Sequence, residues 1–100
     1  MAPEPFVKRL FSVDGREVEC RFFQPEEDGA DSVCRFEIDW PQEGPKSRSV
    51  YGVDGVQALI LAMKVAHAQL LAARERNGRV VTWLGGEELG LPALPPDPGT

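Results

Sequence analysis

Histidine occurs once in this chain of 100 residues, cysteine twice and tyrosine once, and the 11 lysines and arginines are outnumbered by 16 aspartates and glutamates. Each shortage excludes a chemistry. One histidine, His67, with Cys20 and Cys34 cannot complete a four-ligand zinc site. The net charge of -5 and the pI near 4.8 argue against nucleic-acid binding, because affinity for phosphate backbones rests on lysine and arginine displacing counterions. No basic region followed by an apolar core opens the chain, so no secretory signal is read. The longest apolar stretch, Val56 to Ala73, carries Gln57, Lys64, His67 and Gln69, too many polar groups for a membrane span. These absences predict a cytoplasmic protein with no metal, no cofactor, and neither nucleic acid nor membrane as partner.

What remains is ordinary globular sequence, 42% hydrophobic and 27% charged, of a length suited to one core. We expect one domain over 6–92. MAPEP at the start and the proline-rich end lack periodicity, so 1–5 and 93–100 are expected to be flexible tails. Phe6 to Ser12 reads as a first strand, and the Asp14-Gly15 pair that follows is a hairpin signal, so Arg16 to Gln24 should return antiparallel. In that second strand Val18, Cys20 and Phe22 alternate with Glu17, Glu19 and Arg21, the pattern of a half-buried strand. After a polar loop, PEEDGAD, a third strand runs from Ser32 to Trp40 with Cys34, Phe36, Ile38 and Trp40 on one face. Pro41 to Pro45 reads as a loop, Ser47 to Tyr51 as a short fourth strand, and Arg79 to Leu84 as a fifth extended piece.

A long helix is read from Asp54 to Asn77. Asp54 is placed as N-cap, Gln57 completes a capping box, Arg74 and Arg76 suit the negative end of the helix dipole, and Gly78 fits the position after the last turn. Val56, Leu59, Ile60, Met63, His67, Leu70 and Leu71 recur at helical spacing and are expected to form the core stripe. A second, weaker stripe, Ala58, Leu61, Val65, Ala68 and Ala72, lies on the other side.

No nucleophile, base, metal ligands or phosphate loop converge, and the chain is not expected to be an enzyme. His67 has no acid or serine at helical spacing and reads as a structural histidine. Cys20 and Cys34 read as core thiols rather than a redox or metal pair, although a register facing Glu19 with Arg35 would set them opposite each other. The GVDG segment lacks the lysine and hydroxyl of a phosphate loop, and the acidic loops lack a calcium pattern. Two surfaces stand out as candidate contact sites. One is the second helix stripe, Leu61, Val65, Ala68 and Ala72. The other is the outward sheet face, where Phe23 and Val33 interrupt the charges; cover by the segment Trp83 to Pro92 is the simpler expectation there. A competing reading gathers Tyr51, His67 and Trp83 around a pocket.

PFVKRLF, CRFEIDWP, YGVDGVQALILAMKVA and VTWLGGEELGLP, in this order, resemble a family of small bacterial proteins known only as a domain of unknown function. The resemblance covers Pro5 to Pro92, and its most specific parts are the Val-Asp-Gly-Val-Gln-Ala-Leu helix start and the Trp-Leu-Gly and Leu-Gly-Leu-Pro segments. It implies a bacterial, intracellular α+β protein and carries over no catalytic residues. The expected fold is α+β: an antiparallel four-stranded meander with one long helix on one face and a fifth extended C-terminal segment at a sheet edge. The expected function is a non-catalytic protein-interaction module, its partner another protein or a second copy in a weak homodimer. The alternative is a small-molecule-binding or enzymatic domain at the Tyr51, His67 and Trp83 pocket.

Overall fold

Alternating apolar and polar residues build the sheet, and a two-residue turn sets its first register. The computed structural model describes residues 4–93; of the tails expected at 1–5 and 93–100, residues 1–3 and 94–100 lie outside the described residues. Strand β1 (Val7–Val13) returns into β2 (Arg16–Phe22) through Asp14-Gly15, whose φ angles of 53° and 81° give the left-handed two-residue turn an Asp-Gly pair favours. Val7 then faces Phe22 and Phe11 faces Val18. After β3 (Glu26–Asp28) come β4 (Asp31–Trp40), β5 (Gly44–Gly52), helix α1 (Gly55–Arg76) and β6 (Val81–Thr82). The sheet is antiparallel, with β5 along one side of β4, β2 and β3 sharing its other side, then β1 and finally β6. This is the expected α+β architecture of one helix on a meander, with the C-terminal segment beside β1 as the edge.

Three details of the sheet depart from the expectation. The polar loop contains β3, which pairs with the start of β4; three acidic residues carry no apolar alternation to betray a strand. That extra hairpin shifts the β2–β4 register, so Cys20 faces Ile38 and Arg21 faces Glu37, and Cys20 and Cys34 are not opposite each other. Strand β5 begins at Gly44 and includes Pro45, because an edge strand is the place in a sheet that tolerates a missing donor.

The larger correction concerns α1. Its caps are as read: the Asp54 carboxylate accepts from the Gln57 N–H at 2.8 Å, and the Gln57 side chain reaches back to accept from Val53 N–H at 2.7 Å. Its buried face is not. The fully buried line is Ala58, Ala62, Ala66, Leu70 and Ala73, while Val56 and Ile60 are exposed and Leu59, Met63, His67 and Leu71 are only half-buried. The helix is turned roughly a hundred degrees, one residue's worth, from the expected orientation. Close approach explains the turn. A β-carbon on Gly52 would lie 2.5 Å from the Ala58 nitrogen, so α1 sits on β4 and β5 at a distance that only small side chains permit.

Beneath it Phe11, Val13, Val18, Cys20, Phe22, Cys34, Phe36 and Ile38 form the inward face. Each large side chain there contributes up to about 1.5 to 3 kcal/mol of burial, an upper estimate. Over an 18-residue window α1 has a mean hydropathy of 1.5, enough in length and composition for a membrane span. In this fold that apolar length is partly spent on the sheet. Beyond the helix, Leu89 is buried in the same core and Leu91 packs against it. Arg9 holds this segment down, stacked 3.9 Å from the Trp83 ring centre and donating to the carbonyls of Leu89 and Gly90. Arg74 does the same from the helix, donating to the carbonyls of Val81 and Glu87.

Candidate functional site

The expected contact residues Leu61, Val65, Ala68, Ala72, Phe23 and Val33 are all buried or half-buried. Ala58, of the second stripe, is fully buried, and Leu61, Val65, Ala68 and Ala72 are half-buried rather than exposed. Ala72 lines a cavity of about 260 Å³ with Trp40 and Glu43, so this side of α1 is turned toward the β4–β5 hairpin. The C-terminal segment lies on the other side, near Met63. Held by Arg9 on the α1 side of β1, the segment does not cover the outward sheet face around Phe23 and Val33, which corrects the expectation of cover there.

On the outward face the alternation puts Lys8, Glu19, Arg21, Arg35, Glu37 and Asp39 together. Arg21 is the hub, donating to both Asp39 oxygens at 2.6 Å, to Glu19 at 3.1 Å and to Glu37 at 3.3 Å. The bidentate bond to Arg21 holds the Asp39 carboxyl below its ordinary range, and the three carboxylates make the Arg21 proton harder to remove. Arg35 donates to Glu37 at 2.6 Å and stacks 3.9 Å from the Phe23 ring centre, leaving Phe23 buried and Val33 half-buried. Phe23 and Val33 therefore do not interrupt the charges as a free apolar patch; they are roofed by one of them. Phe23, Val33, Arg35 and Ser49 line a cavity of about 430 Å³.

Tyr51, His67 and Trp83 do not meet. Tyr51 pairs with Val33 and stands on the outward face, opposite the helix that carries His67, while Trp83 is held over β1 by Arg9. Hydrogen bonding to Asp28, and then the charges of Asp28 and Asp31, hold the Tyr51 phenol above its ordinary range. Burial pushes the Cys20 thiol up to about 12 and raises Cys34, whose thiol donates to the Phe23 carbonyl at 3.3 Å; both cysteines are free and buried. Among the described residues no group of three or more His, Cys, Asp or Glu is placed to hold a metal ion.

Val56 and Ile60, expected in the core stripe, stand at the surface, and Phe6 of the first expected strand is exposed as well. Val56 is 69% exposed, Ile60 41% and Phe6 55%. Phe6, Pro25, Val56 and Leu59 line a shallow groove of about 440 Å³ with Gln24, Asp54 and Gly55. One helical turn further, Met63 lines a second hollow of about 270 Å³ with Val7, Phe22, Leu91 and Pro92. Leu59 and Met63, one turn apart on α1, set the two hollows in line as a trough beside the first half of the helix, its second part also lined by Lys8 and Arg9. The signal for it was present: alanines at 58, 62 and 66 repeat every fourth residue and mark the side that approaches the sheet.

No curated protein and no solved structure matches the chain. A family model does: described as a domain of unknown function, DUF6968, it matches residues 7–93, and the chain belongs to that family.

Proposed function

We propose that this protein is a non-catalytic interaction module that receives an apolar segment of a partner protein in the trough beside α1. The observation that carries this reading is the exposure of Phe6 and Val56, which line the groove with half-buried Leu59, and of Ile60 one helical turn from Val56, large apolar side chains that the fold leaves in solvent although its alanines are buried. A monomer gains nothing in stability from such a surface, and contiguous apolar surface of this kind marks contact sites. An amphipathic helix fits the geometry, because it lays residues of its own apolar face along a trough at helical spacing.

The test is a Val56→Asp/Ile60→Asp double variant compared with wild type in affinity capture from the native cell, read by mass spectrometry, with light scattering on both. The expected result is a polypeptide retained by wild type and lost from the variant while the unfolding midpoint stays in place. Identical captured sets, with both proteins monomeric, would remove the proposal.

A further inference from the structure

Strand β5 is an edge. Among the described residues it pairs with β4 alone, so the backbone groups on its other side, from Gly44 to Gly52, have no ladder partner there. Edges of this length invite pairing with another chain, and proteins commonly guard them with proline and charge. Pro45, Lys46 and Arg48 are such guards, but they guard selectively.

Most basic side chains of this acidic protein are already engaged. Lys8, Arg21 and Arg35 sit in the outward ladder, Arg9 and Arg74 hold backbone carbonyls, and Arg79 stands 4.0 Å from Asp14 and 3.9 Å from Glu43. Lys46 and Arg48 are exposed and have no ion-pair or hydrogen-bond partner among the described residues. They face Ile38 and Phe36 across the ladder, so both point to the side of the sheet that carries α1. A second copy pairing β5 with β5 would bring these two cations against their own counterparts, which disfavours self-association. An acidic strand meets the opposite sign.

We propose that β5 accepts an extended acidic segment of another protein as an added strand, its alternate carboxylates lying beside Lys46 and Arg48. The main-chain ladder supplies attraction that any strand could share, and the two cations supply the choice among strands. This surface is separate from the trough beside α1, and the two readings fail independently.

The experiment uses two end-blocked peptides of the same alternating pattern, one of Glu and Val and one of Lys and Val, titrated into isotopically labelled protein and followed by NMR and amide hydrogen exchange. The Glu–Val peptide is expected to shift and protect amides of β5, to weaken as salt is raised, and to bind at least tenfold more tightly than the Lys–Val peptide. In Lys46→Glu/Arg48→Glu the preference should invert, and in the milder Lys46→Gln/Arg48→Gln it should vanish; both residues are exposed, so the fold is retained. Absence of binding by the Glu–Val peptide, equal binding in wild type and the reversed variant, or shifts confined to Val56 and Ile60 would each overturn the assignment to β5.

Discussion

Helix α1 has a small side and a large side, and the fold buries the small one. Ala58, Ala62, Ala66 and Ala73 lie flat against the sheet, whereas Val56 and Ile60 stand in solvent. Transfer energy per residue favours the opposite choice, since a buried isoleucine gains more than a buried alanine. The difference shows that distance of approach outweighed side-chain size. With Gly52 beneath Ala58 the helix axis comes down close enough for backbone and methyl groups to touch the sheet, and contact over the whole length of α1 compensates for the smaller area at each position. Leu59 and Met63 then fill the flank, half-buried, Met63 beside Val7 of β1 and Leu59 beside Phe6 and Pro25.

The largest effects should come from forcing the two sides to be alike. Ala62→Leu inserts a branched side chain where the helix touches the sheet and is expected to destabilise by about 1 to 3 kcal/mol, as overpacking does. Gly52→Ala should fall in the same range of about 1 to 3 kcal/mol, because its β-carbon meets backbone rather than a movable side-chain tip. Urea midpoints measure both, and a neutral Ala62→Leu would mean that α1 does not sit close. On the flank, Leu59→Ala or Met63→Ala should destabilise by roughly 1 to 2 kcal/mol, at or below the foot of the range for a buried side chain because each is half-exposed; a loss near 4 kcal/mol would restore the leucine side as core.

The same comparison explains what could be read in advance. The strands β1, β2 and β4 were legible because alternation has a period of two and only one face can be apolar, so Val18, Cys20, Phe22, Cys34, Phe36 and Ile38 all lie inward as expected. Asp14-Gly15 and Asp54 were legible because their chemistry is local. The phase of α1 was not, because a helix apolar nearly all round offers two stripes, and size-weighting picks the wrong one when tight approach decides. Strand β3 was hidden by its charge. The error of phase moved both stripes: Val56 and Ile60, expected in the core, are exposed, and Leu61, Val65, Ala68 and Ala72, expected at the surface, are half-buried on the other flank of the alanine line.

The two faces of the sheet provide a smaller and more selective test. On the inward face stability should be nearly independent of acid, whereas on the outward face it should carry an acid limb through Asp39. The Asp39 carboxyl is depressed below its ordinary value of 3.8 by Arg21, so its contribution is present above that value and is lost as pH falls through the lower folded value. With the Asp39 side chain 37% exposed the contribution is screened, and Asp39→Asn should cost less than about 1 kcal/mol at neutral pH. The difference from wild type should shrink to nothing as the pH falls below the folded value. Denaturation curves from pH 7 to about 2 read this limb; a gap that persists in acid would mean that Asp39 acts through packing and not through its charge.

The smallest expected effect is the most informative about function. Ile60→Ala removes a large apolar side chain from the middle of a helix, a change that costs about 2 to 5 kcal/mol where the residue is buried. Here Ile60 is 41% exposed and points away from the alanine line, and alanine has the higher helix propensity, so the net change should stay within about 0.5 kcal/mol of zero. The pair Ala62→Leu and Ile60→Ala thus reverses the ordinary rule that adding apolar volume helps and removing it harms. If both follow the expectation, isoleucine at position 60 has no role in the folded monomer's stability, and binding is the role left for it. If Ile60→Ala instead destabilises strongly, the trough is a packed flank of the core, and the contact surface proposed beside α1 loses its foundation while the β5 edge does not.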